Sequence, residues 1–460
     1  MRGVLATVKN LHFVGIGGAR LSGLAKLYQD RGYNITGSDA NESKSVQNLI
    51  NRGVKVFIGH SPVNIDGADL VVYTNAVGND NPEVKTALDK GIPVIEGAEL
   101  LGKLMGEVGR GIAIAGTHGK TTTTAMTALV LTAGGLDPTV LVGGEIEAFQ
   151  GNHRSGKSDY MVVEACEFKS SFLFLRPSIE LITNIDWDHP DCFPTMKDVL
   201  KTFADFVSLL PNKGTLILWG DDPNADYLKK RYKGKTVTFG YQPQFDWEIA
   251  EYHSLEPLGI IGRINYKGKS HGELYLKVPG RHNLQNAMGA LVIASELGVD
   301  TKVALKALTE FNGVKRRFEI KGEYRGAMIV DDYAHHPGAV KATLASARQG
   351  FKGRIWCVFQ PHLYSRTKFL LDEFAKSFND ADILVLADIY PAREIDPGDI
   401  SSKDLAVKAG RFHTDVRYFG DFDTIVNHLT KHVQKDDLVI TMGAGNIFKV
   451  GERLLNNVII

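Results

Sequence analysis

Residues 112–124 read IAIAGTHGKTTTT, and no other stretch restricts the fold as tightly. Four small apolar residues predict a buried strand. Gly116-Thr117-His118-Gly119-Lys120-Thr121-Thr122 predicts a loop running straight into a helix over 122–133, which Gly134 and Gly135 end. A strand, a glycine loop and a helix in that order form a phosphate cradle. The two glycines let backbone N–H groups converge, the helix N-terminus adds partial positive charge, Lys120 reaches the outer phosphates and the Thr121 hydroxyl can hold magnesium. The common P-loop spacing would place its first glycine at position 114, where Ile114 stands, and Gly116 comes two residues later. The loop is therefore a tightened variant, and it commits the chain to an α/β sheet with the cradle at a strand's carboxyl end.

At 460 residues the chain exceeds one core, and three domains are expected. Lys plus Arg balance Asp plus Glu at 53 each, so no global field favours nucleic acid or an anionic membrane, and phosphate binding has to be local. Cys166, Cys192 and Cys357 lie far apart without a CxxC pair, which argues against a disulfide framework and a zinc knuckle and predicts free thiols in a reducing cytoplasm. No apolar run reaches the roughly 18 residues that span a bilayer, and a soluble cytoplasmic protein is expected.

Along the chain, residues 11–14 predict a strand, Gly15-Ile-Gly17-Gly18-Ala-Arg20 a glycine turn and 21–30 a helix. A second strand at 33–36 delivers Ser38 and Asp39. Gly-x-Gly at a strand-to-helix turn, with an acid about 20 residues on, is the pattern of a dinucleotide site. Arg20 stands where the third glycine would be, so the turn suits a nucleotide diphosphate without singling out NAD. The polar turn 106–110 reads as a linker. Beyond the cradle, predicted strands end in Glu164-Ala-Cys-Glu167 and in Asp186-Trp-Asp188-His189-Pro-Asp191, which makes Glu164 and His189 candidate magnesium ligands, with capping or solvation as the plain alternative. Residues 215–277 read as short strands. His282 and Asn283 open a helix, either contacting a base or phosphate or capping it. The last third repeats strand, loop, helix with Asp331, Asp332, His335, His336, Gln360, His362, Arg366, Asp388, Arg393 and Asn446 at strand ends, as in a doubly wound domain with one crevice. For His335 and His336 the alternative is capping of the following helix.

Ten motifs in order, GIGG with SGLA, GSD at 37–39, GTHGKTT at 116–122, EACE at 164–167, TNIDWDHPD at 183–191, PGRHNLQN at 279–286, RRF at 316–318, DDYAHHP at 331–337, QPHLYSRT at 360–367 and MGAGN at 442–446, resemble the Mur ligases. The resemblance runs along the whole chain. It implies an α/β protein of three domains: an N-terminal Rossmann-like one for a UDP-sugar at 1–108, a central P-loop ATPase with a mostly parallel sheet at 109–315, and a C-terminal Rossmann-like one for the amino acid at 316–460. The implied activity is ATP-dependent joining of L-alanine to the lactyl carboxylate of UDP-N-acetylmuramate through an acyl phosphate, with magnesium as the metal, no nucleic-acid or membrane partner, and a monomer or weak homodimer. By position, Gly116, Thr117, His118, Gly119, Lys120, Thr121 and Thr122 would cradle ATP, with Lys120 on the transferring phosphoryl. Thr121 and Glu164 would hold one magnesium and His189 would help hold a second. Asn283, Arg317 and Asp332 would contact ATP. His335, His362 and Arg366 would receive the amino acid, Arg366 taking its carboxylate and His335 serving as a candidate base. Gly17, Gly18, Ser22, Ser38 and Asp39 would line the UDP-sugar site. Arg20, Leu363 and Phe203 depart from patterns seen in the family, Phe203 standing where several sister ligases carry a lysine.

Overall fold

Parallel strands covered by helices on both faces need apolar side chains at successive positions, and the chain's continuous apolar runs supply them. The computed structural model describes residues 8–78, 80–149, 151–188, 192–256, 258–392 and 394–456. The chain divides into two compact units, one of Met1–Asp186, Thr195–Gly240 and Gly289–Ala304, the other of Trp187–Pro194, Tyr241–Met288 and Leu305–Ile460.

The first unit carries two parallel arrangements. Strands β1 (Asn10–Val14), β2 (Asn34–Asp39), β3 (Lys55–Ile58), β4 (Leu70–Tyr73) and β5 (Val94–Glu96) form a parallel sheet in the order β3-β2-β1-β4-β5. The order reverses between β1 and β4, so the crevice opens beyond their carboxyl ends, where the first glycine turn lies. Then come β6 (Arg110–Ala115), β7 (Thr139–Ile146), β8 (Gly151–Arg154), β9 (Tyr160–Glu164), β10 (Pro177–Ile182), β11 (Thr215–Trp219) and β12 (Lys235–Gly240), ordered β12-β11-β10-β6-β9-β7-β8 and parallel apart from the β7-β8 hairpin.

The expected linker at 106–110 is not a loop. Helix Gly97–Val108 runs through it, and Gly109 alone, at φ +111°, separates the helix from β6. Leu100, Leu101, Leu104 and Met105 keep the buried stripe going at helical spacing, while Gly106 faces open space and so breaks no packing.

The first and central sheets share their unit because helix Ala19–Asp30 packs on the β7-β8 hairpin. Asn152 Nδ2 donates to the Ala19 carbonyl and, at 3.3 Å, to Ser22 Oγ. A Cβ on Gly23 would sit 2.4 Å from Leu141 Cδ1. Nearby, a Cβ on Gly102 would fall 2.1 Å from the Phe174 carbonyl oxygen, so helix Gly97–Val108 meets the 168–174 segment backbone to backbone.

In the second unit, residues 247–276 form the antiparallel strands β13 (Trp247–Ser254), β14 (Ile260–Tyr266) and β15 (Lys269–Leu276). Strands β16 (Glu319–Tyr324), β17 (Ala327–Asp332), β18 (Ile355–Phe359), β19 (Ile383–Ala387), β20 (Val416–Gly420) and β21 (Leu438–Met442) order as β16-β17-β21-β18-β19-β20, with only β16 antiparallel. Val330, Cys357, Phe359, Leu384 and Ile440 fill one face and Ile329, Trp356, Val358, Val385 and Val439 the other, the two-residue alternation of a sheet buried on both sides. Among the described residues no helix is long and apolar enough to cross a membrane.

Candidate active site

In the first unit the loop after β6 is held in shape by the end of β10. Thr117 N–H donates to the Asn184 carbonyl at 2.9 Å and His118 N–H to Asn184 Oδ1 at 2.9 Å, while Thr183 Oγ1 donates to the His118 carbonyl at 2.6 Å. Gly116, at φ +132°, passes so close to Thr183 that a Cβ would lie 2.0 Å from its Oγ1, and Gly119 takes a left-handed φ of +83°. The helix starts at Lys120, two residues earlier than expected, because Gly119 supplies the left-handed turn into it. Thr122 is buried in its first turn.

Lys120 Nζ donates to the Gly116 carbonyl at 2.5 Å, the Thr117 carbonyl at 3.1 Å, and Glu167 Oε1 and Oε2 at 3.1 and 2.9 Å. Burial by itself would lower its pKa; Glu167, Cys166 and Glu164 outweigh that and hold it above the usual lysine value, so the ammonium keeps its charge. Thr121 Oγ1 donates to Glu164 Oε2 at 2.9 Å, and the Gly143 N–H donates to the same oxygen at 2.9 Å. A hydroxyl and a carboxylate together at the helix start form an oxygen-only donor pair of the kind magnesium takes. Arg20 reaches this cluster: its guanidinium hydrogen-bonds Cys166 and feels Glu164 and Glu167, which outweigh burial and raise its pKa. Phe203 is core, fully buried with its ring 5.4 Å from that of Phe172.

At the first glycine turn, Asp39 Oδ2 accepts from Gly17 N–H at 2.9 Å, and a Cβ on Gly17 would meet that oxygen at 2.8 Å. Gly18 is exposed next to it, and Ser22 is buried in the helix behind. Ser38 is fully buried, and its hydroxyl donates to Glu83 Oε2 at 2.5 Å.

In the second unit Asp332, at the end of β17, accepts from Phe318 N–H at 2.7 Å, Ala334 N–H at 2.7 Å and Thr343 Oγ1 at 3.4 Å; burial raises its pKa against the pull of Arg317. Arg317 lies over the Tyr333 ring, 5.0 Å from its centroid. Its neighbours Arg316 (φ +62°) and Phe318 (φ +49°) are both left-handed, a costly backbone for non-glycine residues, and Arg316 is pinned to Asp331 Oδ2 at 3.0 Å and the Gly443 carbonyl at 2.6 Å. Asn283 is buried and donates through Nδ2 to the Pro279 carbonyl at 2.7 Å, bracing the turn at Gly280.

Arg366 is almost fully buried, donating to Asp188 Oδ1 at 3.2 Å and to His362 Nδ1 at 3.2 Å, while its Nε has no partner among the described residues. A guanidinium only donates, so His362 Nδ1 accepts. His335 Nδ1 lies 2.7 Å from the Tyr333 carbonyl, which only accepts; Nδ1 therefore carries the hydrogen and Nε2 the lone pair. Burial, then Arg366, holds the His335 pKa well below its usual value, so the ring is neutral. His336 occupies the N-cap position of helix Pro337–Gly350, but its side chain makes no capping bond.

His189 lies outside the described residues, as do Asp191 and Arg393. Nothing in the sequence alone marks a role for Glu167, Asp188, Asn184, Arg316 or Glu83, although the first four sit inside the motifs quoted above. Their partners lie far along the chain, Asp188 being 178 residues from Arg366.

A glycine loop carrying a lysine and a threonine–carboxylate pair, a second glycine turn at a strand-to-helix junction, and an arginine–histidine cluster at a third sheet are the features expected of an enzyme that uses a nucleotide and handles anionic substrates. Three family descriptions cover most of the chain: Mur ligase family, catalytic domain, over residues 10–108; Mur ligase middle domain, over 114–294; and Mur ligase, glutamate ligase domain, over 316–445. The chain is 45% identical over 451 residues, 98% of each chain, to the UDP-N-acetylmuramate–L-alanine ligase of Caldanaerobacter subterraneus. It is 43% identical to the ligase of that name from Acetivibrio thermocellus, over 98% of this chain and 96% of that one. The crystal structure of UDP-N-acetylmuramate-alanine ligase from Thermotoga maritima superimposes with a TM-score of 0.84 at 27% identity, covering 98% of this chain and 99% of that one. A murein peptide ligase from Psychrobacter arcticus gives 0.73 at 26%, over 97% and 98%. The chain belongs to the Mur ligase family.

Proposed function

We propose that this chain joins L-alanine to the lactyl carboxylate of UDP-N-acetylmuramate at the expense of ATP, the first amino-acid addition to the cytoplasmic peptidoglycan precursor. Likeness along 98% of the chain to relatives bearing that name supports the substrates. The chemistry rests on one observation, the charged Lys120 ammonium beside the Thr121–Glu164 pair at a glycine-built helix start. We read 1–108 as the UDP-sugar domain, 109–315 as the ATP domain and 316–460 as the amino-acid domain, in a cytoplasmic monomer or weak dimer.

A carboxylate is a poor electrophile until one of its oxygens becomes a leaving group. Phosphoryl transfer from ATP to the lactyl oxygen gives an acyl phosphate and ADP; the alanine amine then attacks the acyl carbon, and the C–O bond breaks to release phosphate. Moving a phosphoryl group between anions calls for fixed positive charge and geometry. Lys120 supplies the charge and backbone N–H groups of 116–122 hold the phosphates; Asn283, Arg317 and Asp332 are assigned to ATP by the family resemblance alone. Thr121 and Glu164, with His189 for a second ion, would hold magnesium, which neutralises phosphate charge when bound. Arg366 receives the alanine carboxylate beside His362. The alanine ammonium has to lose a proton before its nitrogen can attack, and His335 Nε2 is the candidate acceptor, working against the burial and the Arg366 charge that disfavour the protonated ring. Gly17, Gly18, Ser22, Ser38 and Asp39 shape the pocket for the UDP part.

Phosphate release with magnesium, ATP and UDP-N-acetylmuramate, comparing L-alanine, glycine, L-serine and a preformed cell-wall tripeptide as acceptors, tests this reading. Strong dependence on L-alanine, with the amide product seen by mass, is expected. Release with the tripeptide alone would reassign the chain to the murein peptide ligase activity that its second structural relative bears in name.

A further inference from the structure

Glu83 is fully buried, yet it is the hub of a polar cluster behind the first glycine turn. Asn81 Oδ1 caps its helix, Pro82–Asp89, by accepting from the Glu83 N–H at 2.9 Å, which places the carboxylate in the first turn. Glu83 Oε1 accepts from Asn64 Nδ2 at 2.6 Å and Ser61 N–H at 3.2 Å, and Oε2 accepts from Ser38 Oγ at 2.5 Å. His12 Nε2 and His60 Nδ1 lie 3.5 and 3.4 Å from Oε2. A buried carboxylate persists only when donors surround it this way.

These contacts settle which nitrogen of His60 carries its hydrogen. A serine hydroxyl has one hydrogen, and Ser38 spends it on Glu83. Toward His60 Nδ1, 3.0 Å away, Ser38 Oγ can therefore only accept, so Nδ1–H donates, and in the neutral ring the lone pair sits on Nε2. His12 and Ser38 are fully buried, but the His60 side chain is 20% exposed, which leaves this ring as the part of the cluster that a ligand can reach.

The sheet order says which part of a nucleotide would lie there. In a parallel sheet ordered β3-β2-β1, the pyrophosphate sits at the glycine turn after β1, and the acid after β2, here Asp39, meets the ribose. On the far side of Asp39 the next strand in that order is β3, and His60 follows β3 by two residues. We propose that His60 Nε2 accepts the imide N–H of uracil, and that Glu83, acting through Ser38, is a positioning residue that keeps this nitrogen an acceptor. Uracil offers one ring N–H between two carbonyls. Cytosine has a bare nitrogen at that position, so two lone pairs would face each other, and His60 becomes the residue that selects uridine over cytidine.

The inference rests on reading this domain as a UDP-sugar site, and the experiment separates the two. UDP and CDP binding to the intact chain at pH 8 is measured by calorimetry for wild type, His60→Ala and Glu83→Gln, with circular dichroism as the check on folding. Wild type is expected to prefer UDP by on the order of tenfold, the scale of one hydrogen bond exchanged for an unpaired buried acceptor. His60→Ala should lose most of that preference. Glu83→Gln should raise the KM for the UDP-sugar while leaving those for ATP and alanine in place. In wild type labelled with 15N-histidine, the His60 Nε2 signal should be that of an unprotonated nitrogen and should move on adding UDP; this needs no variant, and the Glu83→Gln substitution should shift the resting signal. If wild type binds neither nucleotide, the UDP-sugar reading falls. If it binds UDP but without preference over CDP, if His60→Ala keeps the preference, or if Nε2 is protonated or unmoved by UDP, the inference about His60 is overturned while that reading stands.

Discussion

Lys120 carries two burdens that a single substitution confounds. Its ammonium is placed to stabilise a transferring phosphoryl group, and it also neutralises Glu167, which is 5% exposed. Lys120→Ala is expected to lower turnover by about 10²- to 10³-fold, the scale for one preorganised charge-stabilising group. It should also destabilise the fold by about 1.5–3 kcal/mol, because the buried Glu167 carboxylate loses the charged donor that both its oxygens accept from. The double variant Lys120→Met with Glu167→Gln should recover the melting temperature and none of the turnover; recovery of both would remove Lys120 from the chemistry. Arg366→Ala is expected to raise the alanine KM far more than the ATP KM, and equal rises would refute carboxylate recognition. Glu83 makes a pH prediction with a definite sign. Burial pushes its carboxyl up, but donors from His12, Ser38, Asn64 and the Ser61 N–H outweigh this and bring it down to about 2 from an ordinary 4.5. The depressed folded-state value contributes stability above about pH 4.5, on the order of 3 kcal/mol, which is lost as pH falls toward 2. Urea unfolding should therefore show wild type and Glu83→Gln well separated at pH 6, with the gap about halved near pH 3 and closing only as pH falls toward 2; a constant gap would contradict the assignment.

At the scale of elements, the cradle was legible because its signal is local: glycines, a lysine and threonines within seven residues dictate a loop entering a helix whatever surrounds them. The strand ends of the last third were legible for the same reason. The misread linker at 106–110 shows the limit. Two glycines and charged residues look like a turn, but the buried stripe of Leu100, Leu101, Leu104 and Met105 decided the matter, and that stripe is recognised only once its packing partner is known. The family resemblance places Ser38 in the UDP-sugar site with Asp39. Its commitment to Glu83, 45 residues on, exists only once β2 and helix Pro82–Asp89 are side by side. Helix Gly97–Val108 carries its own test. Gly102→Ala drives a Cβ into the Phe174 backbone, which unlike a side chain cannot swing aside. A loss of about 1–3 kcal/mol in thermal or urea unfolding is expected, from overpacking where a glycine-to-alanine change in an exposed helix would instead stabilise.

Across the whole molecule, three family segments follow one another along the chain, as its motifs implied, yet close packing sorts the chain into two units rather than three. Nothing in the order of motifs reveals this, because it depends on which helix faces are too close for a side chain. Gly23 against Leu141, Asn152 against the start of helix Ala19–Asp30, and Gly102 against Phe174 fasten the first sheet to the central one. The consequence concerns how such a gene can be recombined. A crossover at the Gly109 junction looks natural, but it would separate each glycine from the neighbour it was fitted to, and a hybrid taking residues 1–108 from a sister ligase should express poorly unless the donor also carries small residues at 23 and 102. A crossover that keeps 1–186 from one parent preserves the whole seam, and such a hybrid should express where the 1–108 hybrid does not.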